Sequence, residues 1–288
     1  MTLLASWAAV DSHGVSAVYI AADSRISWPD GSKFDHCRKV YGLQNSPDVF
    51  GYCGDVLFPS IVLGQICEMA DAGLLFSREA SPEEKSTAIL AKLVEQFLQY
   101  PSEVSNIGRD FQILHLSKKN EGAADFQAYQ FEWRRGSGWI KQEKRMPTQT
   151  ETLYIGGSGR DLFSRTFQGY RNSAIAGSTD AVSQAVFQSI CHTIGSGKEP
   201  TVGGPPQLVA LFRGGPKSKA SVKFGIIVNG QRFVFGAPIS ENMQEGNDIE
   251  WRNTLSERCD GRTLQRLTGA QAQPVRVVGH GAIPLPSI

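Results

Sequence analysis

Two apolar segments of strand length, residues 3–10 and 15–22, are separated by Asp11-Ser12-His13-Gly14, a hairpin turn signal. The second runs straight into Ala21-Ala22-Asp23-Ser24-Arg25, which puts a carboxylate at the end of a strand that reads as buried. Sixteen residues on comes Lys39-Val40, at the head of another apolar segment, 37–43. A buried charge must be paired, so the pattern points to a fold in which adjacent strands bring Asp23 and Lys39 together as an ion pair. The alternative is a surface pair of little energetic weight.

The remainder of the chain fits a mixed fold. A strand over 49–53 is followed at Val56 by a change of period: Leu57, Ile61, Val62, Ile66, Met69 and Ala70 lie on one helical face. Ser81-Pro82-Glu83-Glu84 announces a second helix through a capping serine, a first-turn proline and a reciprocal glutamate, and Pro101 stops it. Strands are predicted at 111–116, 126–131, 139–142 and 153–155, helices near 160–168 and 179–194, and closing strands at 207–212, 222–228 and 232–235. Asn229-Gly230 is a type I′ hairpin signal within the last pair. Strands, two helices, strands, two helices and strands make an α+β chain.

Composition narrows the function classes. A formal charge of +1 over 288 residues gives no electrostatic case for nucleic acid or an anionic membrane. No apolar run is long enough to span a membrane, and the first residues lack the basic and apolar regions of a secretory signal. Five cysteines (Cys37, Cys53, Cys67, Cys191 and Cys259) contain no C-x-x-C pair, and the five histidines are scattered. These features predict a cytoplasmic protein with no metal and no cofactor.

Thr2 adds chemistry. Removal of Met1 would free an α-amine beside the Thr2 hydroxyl, pairing a nucleophile with its own base. Thr2, then Ala21-Ala22-Asp23-Ser24-Arg25, then Lys39-Val40, then Gly51-Tyr52-Cys53-Gly54-Asp55 resembles the proteasome β-subunit family, including its HslV-type and Anbu-type bacterial relatives. That family opens its first strand with threonine, ends the second in Ala-Ala-Asp-Ser-Arg, carries a Lys-Val or Lys-Ile pair on the third and enters its first helix through a glycine turn. The resemblance covers roughly residues 2–236 in layout.

The resemblance implies a four-layer α-β-β-α sandwich of two antiparallel sheets, the N-terminal-nucleophile hydrolase fold, in residues 1–237. Residues 238–288 would then be a C-terminal extension, with a helix at 251–267 and a proline-containing tail. It implies a threonine peptidase whose Thr2 Oγ attacks a peptide carbonyl, whose Lys39 favours the alkoxide, and whose Asp23 orients that lysine. Gly54 would donate its N–H to the oxyanion, a role compatible with a glycine needed for the turn itself. Gly156-Gly157-Ser158-Gly159, which alone could cradle a phosphate, matches the family's Gly-Ser-Gly, and Ser158 would support the amine. Glu199 stands where the family has aspartate. Val202 stands where the family has serine, with Thr201 beside it as a shifted substitute. Ser27 would hold the substrate backbone. Ile26, Cys37, Tyr41, Tyr52 and Val56 would line the side-chain pocket; none is charged, which implies apolar substrate side chains. Partners implied are a peptide or polypeptide substrate, further copies of the chain in a closed oligomer, and a separate ATP-driven unfoldase, since this chain has no nucleotide motif. Two further readings stay open: an amidase of the same fold acting on a small molecule, and an inactive structural subunit, which Val202 suggests.

Overall fold

The computed structural model describes residues 2–101, 110–119, 125–171, 181–214, 220–240 and 248–275. Strands β1 (Leu4–Asp11) and β2 (Gly14–Ala22) form the predicted hairpin, and β3 (Ile26–Ser27) pairs with β4 (Lys33–Phe34) in a small ribbon. Strands β5 (Val40–Gly42) and β6 (Asp48–Gly54) precede helices α1 (Leu57–Asp71) and α2 (Pro82–Gln99). Then come β7 (Phe111–Lys118), β8 (Phe126–Arg134), β9 (Gly138–Lys144), β10 (Glu151–Gly156), α3 (Arg160–Arg171) and α4 (Ala181–Gly195). The chain closes with β11 (Gln207–Phe212), β12 (Val222–Val228), β13 (Gln231–Val234), β14 (Ala237–Ile239) and β15 (Glu250–Asn253). Residues 179–180 of the predicted fourth helix and most of the proline-containing tail lie outside the described residues.

The molecule is α+β with mostly antiparallel sheets and, among the described residues, four helices. One sheet has the order β10-β1-β2-β11-β12-β13-β14, and the other β5-β6-β7-β8-β9. Local signals explain several elements. The Ser81 hydroxyl and the Glu84 carboxylate cap each other's N–H groups at the start of α2. Asn229 and Gly230 have φ of 48° and 78°, the left-handed pair that a type I′ turn requires.

Strand β1 is buried on both faces. Leu3, Ala5 and Trp7 join a cluster with Phe163 of α3 and Phe187 of α4, whereas Leu4 and Ala8 join one with Val49 of β6 and Leu114 of β7. The second of these clusters therefore ties the two sheets together. A third cluster packs Phe50, Tyr52 and Phe111 against Phe58 of α1 and Ile89 of α2. Where β1 begins, β2 ends and β5 begins, the sheets meet, and the candidate site lies at that junction.

The region beyond 237 differs from its sequence reading. In place of a helix over 251–267, residues 250–253 form β15, parallel to β12, followed by turns and isolated bridges. Strand β14, which the boundary at 237 would cut, pairs with β13. The cause is Trp251, opposite Gly225 and 6 % exposed: a Cβ on Gly225 would stand 2.4 Å from the indole. Burial of one large ring over a bare backbone outweighs the loose helical spacing of Trp251, Leu255 and Leu267. Gln188 of α4 donates to the Leu255 carbonyl at 3.0 Å, tying the same segment to an outer helix. Among the described residues no helix is long and apolar enough to cross a membrane.

Candidate active site

Antiparallel pairing of β1 with β2 aligns Leu4 with Ala22, and the Asp23 N–H continues the ladder by donating to the Leu3 carbonyl at 3.1 Å. Thr2 is thereby brought beside Asp23. Lys39 stands just before β5 on the other sheet and reaches across. Thr2, Asp23 and Lys39 are each fully buried. The Lys39 ammonium donates to Asp23 Oδ1 at 2.7 Å, to the Arg25 carbonyl at 2.6 Å and to Thr2 Oγ1. An ammonium has three protons, and each has an acceptor here. The Asp23 carboxylate also accepts the N–H groups of Leu3 (3.0 Å), Arg25 (3.2 Å) and Gly203 (3.1 Å), so the buried ion pair is hydrogen-bonded on all sides.

A second chain of contacts starts at the Thr2 nitrogen, which donates to Ser158 Oγ at 3.3 Å. Ser158 Oγ lies 2.6 Å from Thr201 Oγ1, and Thr201 Oγ1 donates to Glu199 Oε1 at 2.6 Å. With the Thr201 hydroxyl donating to the Glu199 carboxylate, the Ser158 hydroxyl donates to Thr201 Oγ1, leaving a Ser158 lone pair to accept the Thr2 N–H. Thr201 thus stands where the sequence left a valine, while Val202 is buried among Leu3, Phe163 and Ile190. The glycine turn serves close approach to the chain: Gly157 has φ +87°, and a Cβ there would lie 1.9 Å from the Thr2 carbonyl oxygen. Gly159 N–H donates to that same oxygen at 3.2 Å.

Gly54 ends β6 with φ +98°, three residues before α1. Its strand is joined to the lysine, because Tyr52 N–H donates to the Lys39 carbonyl at 3.2 Å. The anticipated pocket residues fall in two groups. Tyr41, Tyr52 and Val56 share one apolar cluster. Cys37 touches it, with Sγ 3.5 Å from the Tyr52 hydroxyl, which itself donates to the Arg38 carbonyl at 3.1 Å. Burial pushes the Tyr41 phenol up to about 12 and the Tyr52 phenol well above its usual value, so both stay neutral. Ile26 and Ser27 instead form β3 against Phe34 and Lys33, and Ser27 Oγ is buried without a hydrogen-bond partner.

Three positions escaped the sequence reading. Arg25 grips Asp35 in a bidentate pair at 2.7 and 2.8 Å and donates to the Pro200 and Val202 carbonyls on either side of Thr201. Ser24 donates to the Pro205 carbonyl at 2.5 Å. Gln207 joins Ser24, Cys37 and Lys39. The available signal was polarity out of place: a lone amide opening the apolar segment 207–212, and an arginine inside the Asp23 motif.

No family model and no curated protein matches the chain. Among solved structures, it is similar to Anbu (ancestral beta-subunit) from Yersinia bercovieri at 14 % identity, covering 73 % of this chain and 81 % of that one, with a TM-score of 0.49. It is similar to an Anbu (Gly-1) mutant from Hyphomicrobium sp. strain MC1 at 12 % identity, covering 74 % and 82 %, with a TM-score of 0.47.

Proposed function

We propose that the protein is an N-terminal threonine peptidase, with Thr2 as nucleophile once Met1 has been removed. The observation that carries this is the Lys39 ammonium hydrogen-bonded to Thr2 Oγ1 and paired with Asp23 in a buried setting. In this reading the freed α-amine takes the Thr2 hydroxyl proton as Oγ bonds to the substrate carbonyl carbon. Lys39 stabilises negative charge on Oγ, and the Gly54 N–H receives the oxyanion. The C–N bond breaks as the ammonium returns its proton to the leaving nitrogen, leaving an ester on Thr2. Water then adds to the ester, giving a proton to the amine, and the acid product departs as Oγ recovers its hydrogen. The Ser158–Thr201–Glu199 relay orients the amine, whose ordinary pKa of about 8 suits proton transfer near neutral pH. The inactive-subunit reading drew on Val202; the Thr201 hydroxyl, 2.6 Å from Ser158 Oγ, weighs against that motive and favours the peptidase.

In the same reading the helices and two sheets stack as a four-layer α-β-β-α sandwich whose main body is residues 1–237, with β14 and β15 carrying one sheet on into the extension. Residues 238–288 support assembly, copies enclose their sites in a homo-oligomer, and a separate unfoldase supplies chains. Substrate side chains are uncharged, as Ile26, Cys37, Tyr41, Tyr52 and Val56 are, and Ser27 aligns the substrate backbone. Five unpaired cysteines favour a reducing cytoplasm. A small-molecule amidase is the second reading, favoured by the full burial of Tyr52 in the pocket region. Fluorogenic peptides test the choice. Turnover that is lost in Thr2→Ala and partly kept in Thr2→Ser supports the peptidase, whereas unchanged turnover in Thr2→Ala sinks it.

A further inference from the structure

Gln207 opens β11 and is 1 % exposed. Its Oε1 accepts the main-chain N–H of Lys39 at 3.0 Å. Its Nε2 donates to the Cys37 carbonyl and to Ser24 Oγ, both at 2.7 Å, with the Asp23 carbonyl at 3.3 Å. The partners fix the orientation of the amide: an N–H can face only its oxygen, and the carbonyls only its NH2. Residues 36–39 belong to no strand, so no ladder satisfies their backbone groups, including those of the fully buried Lys39. Gln207 satisfies two of them from one sheet, while Tyr52 on the other sheet holds the Lys39 carbonyl at 3.2 Å. The lysine side chain is a flexible four-carbon stem. Where its root is anchored decides whether Nζ reaches Thr2 Oγ1, Asp23 Oδ1 and the Arg25 carbonyl together.

We propose that Gln207 is a positioning residue for Lys39: a buried carboxamide that fixes the lysine's main chain against the Asp23 strand end and so aims the ammonium at Thr2. It touches no reacting atom and acts through Lys39, and its kinetic consequence rests on the threonine-peptidase reading. The same contacts explain why a serine stands at position 24, since its hydroxyl accepts from Gln207 and donates to Pro205.

Two variants separate positioning from general support. Gln207→Met keeps the shape and removes every hydrogen bond; kcat should fall about 10²-fold with little change in KM, by about the same factor at every pH. Gln207→Glu keeps the acceptor for Lys39 N–H. Its second oxygen donates to Cys37 only when protonated and repels that carbonyl when ionised. The ratio of variant to wild-type kcat should therefore fall as pH rises from 5.5 to 9. A flat ratio for Gln207→Glu, or a Gln207→Met kcat within about two-fold of wild type, overturns the proposal. Crystal structures of wild type and Gln207→Met read the positioning without any turnover. Residues 36–39 should move away from Asp23 and Lys39 Nζ should lose one of its acceptors; an unmoved ammonium overturns the proposal. If the wild type hydrolyses no peptide, the peptidase reading falls, and the crystal comparison alone decides the role of Gln207.

Discussion

Replacing Lys39 by methionine keeps an apolar stem of four heavy atoms and deletes the charged nitrogen together with its bonds to Asp23, Thr2 and Arg25. The carboxylate left behind is fully buried. Breaking a buried pair from one side costs about 3–5 kcal/mol, and the amides of Leu3, Arg25 and Gly203 that still serve Asp23 put this case near 3. Asp23→Asn attacks the pair from the other side. Whichever way the amide turns, its NH2 faces donors that lose their acceptor, at about 1–3 kcal/mol for each buried group, so this variant also loses about 3 kcal/mol. In the double variant no charge remains, and only the mismatched donors cost energy. The double loss should be about 3–4 kcal/mol instead of about 6, a coupling of 2–3 kcal/mol. Urea unfolding followed by tryptophan fluorescence, at one fixed subunit concentration, measures all corners of the cycle. Turnover should behave alike, each single change costing orders of magnitude and the double little more than the worse single. Losses that add to within about 0.5 kcal/mol would refute the coupled, desolvated pair.

Thr201→Val keeps the shape but cuts the link between Glu199 and Ser158; kcat should drop by at least about 10²-fold while the melting temperature holds, and an unchanged kcat removes the relay from the mechanism. Asp48 is fully buried between His115 Nε2 at 2.8 Å and Lys85 Nζ at 3.0 Å. Burial alone would raise its carboxyl, but the His115 hydrogen bond and the nearby positive charges win and hold it at about 2. A depressed carboxylate stabilises the fold above its unfolded pKa of about 4, and this contribution of about 2 kcal/mol disappears as pH falls towards 2. Acid denaturation midpoints of wild type and Asp48→Asn should show this limb shrinking in the variant; identical limbs would contradict it. Trp251→Ala empties the space over Gly225 and should cost about 3–5 kcal/mol in denaturant unfolding, whereas a loss under about 1 kcal/mol would mean that β15 is not integral to the sheet.

Part of this molecule was legible because its signals are local. The Ser81–Glu84 capping box, the Asn229-Gly230 turn and the Asp11–Gly14 hairpin each carry their own geometry within a few residues. Asp23 and Lys39 were legible for a different reason: charges embedded in apolar segments require each other, so each charge pointed to its partner. What escaped was decided by partners remote in sequence. Nothing near Trp251 records that a bare Gly225 waits 26 residues earlier to receive its ring, so the spacing of apolar residues pointed to a helix. Thr201 and Val202 exchange the roles that the motif assigned because the valine turns into the core cluster and the threonine towards Ser158. The reach of Gln207 to Lys39 spans 168 residues and leaves only an isolated polar side chain as its trace.

The central claim is that Thr2 carries a nucleophilic hydroxyl beside its own free amine. Intact-mass analysis before and after exposure to a peptide epoxyketone tests both halves at once, because that warhead needs the hydroxyl and the amine together. The account predicts a chain that starts at Thr2 and gains one inhibitor mass per chain as peptide turnover disappears, with no adduct on Thr2→Ala. An active protein whose Thr2 nitrogen is still acylated by a preceding residue, or one that turns over peptide without forming the adduct, would contradict it.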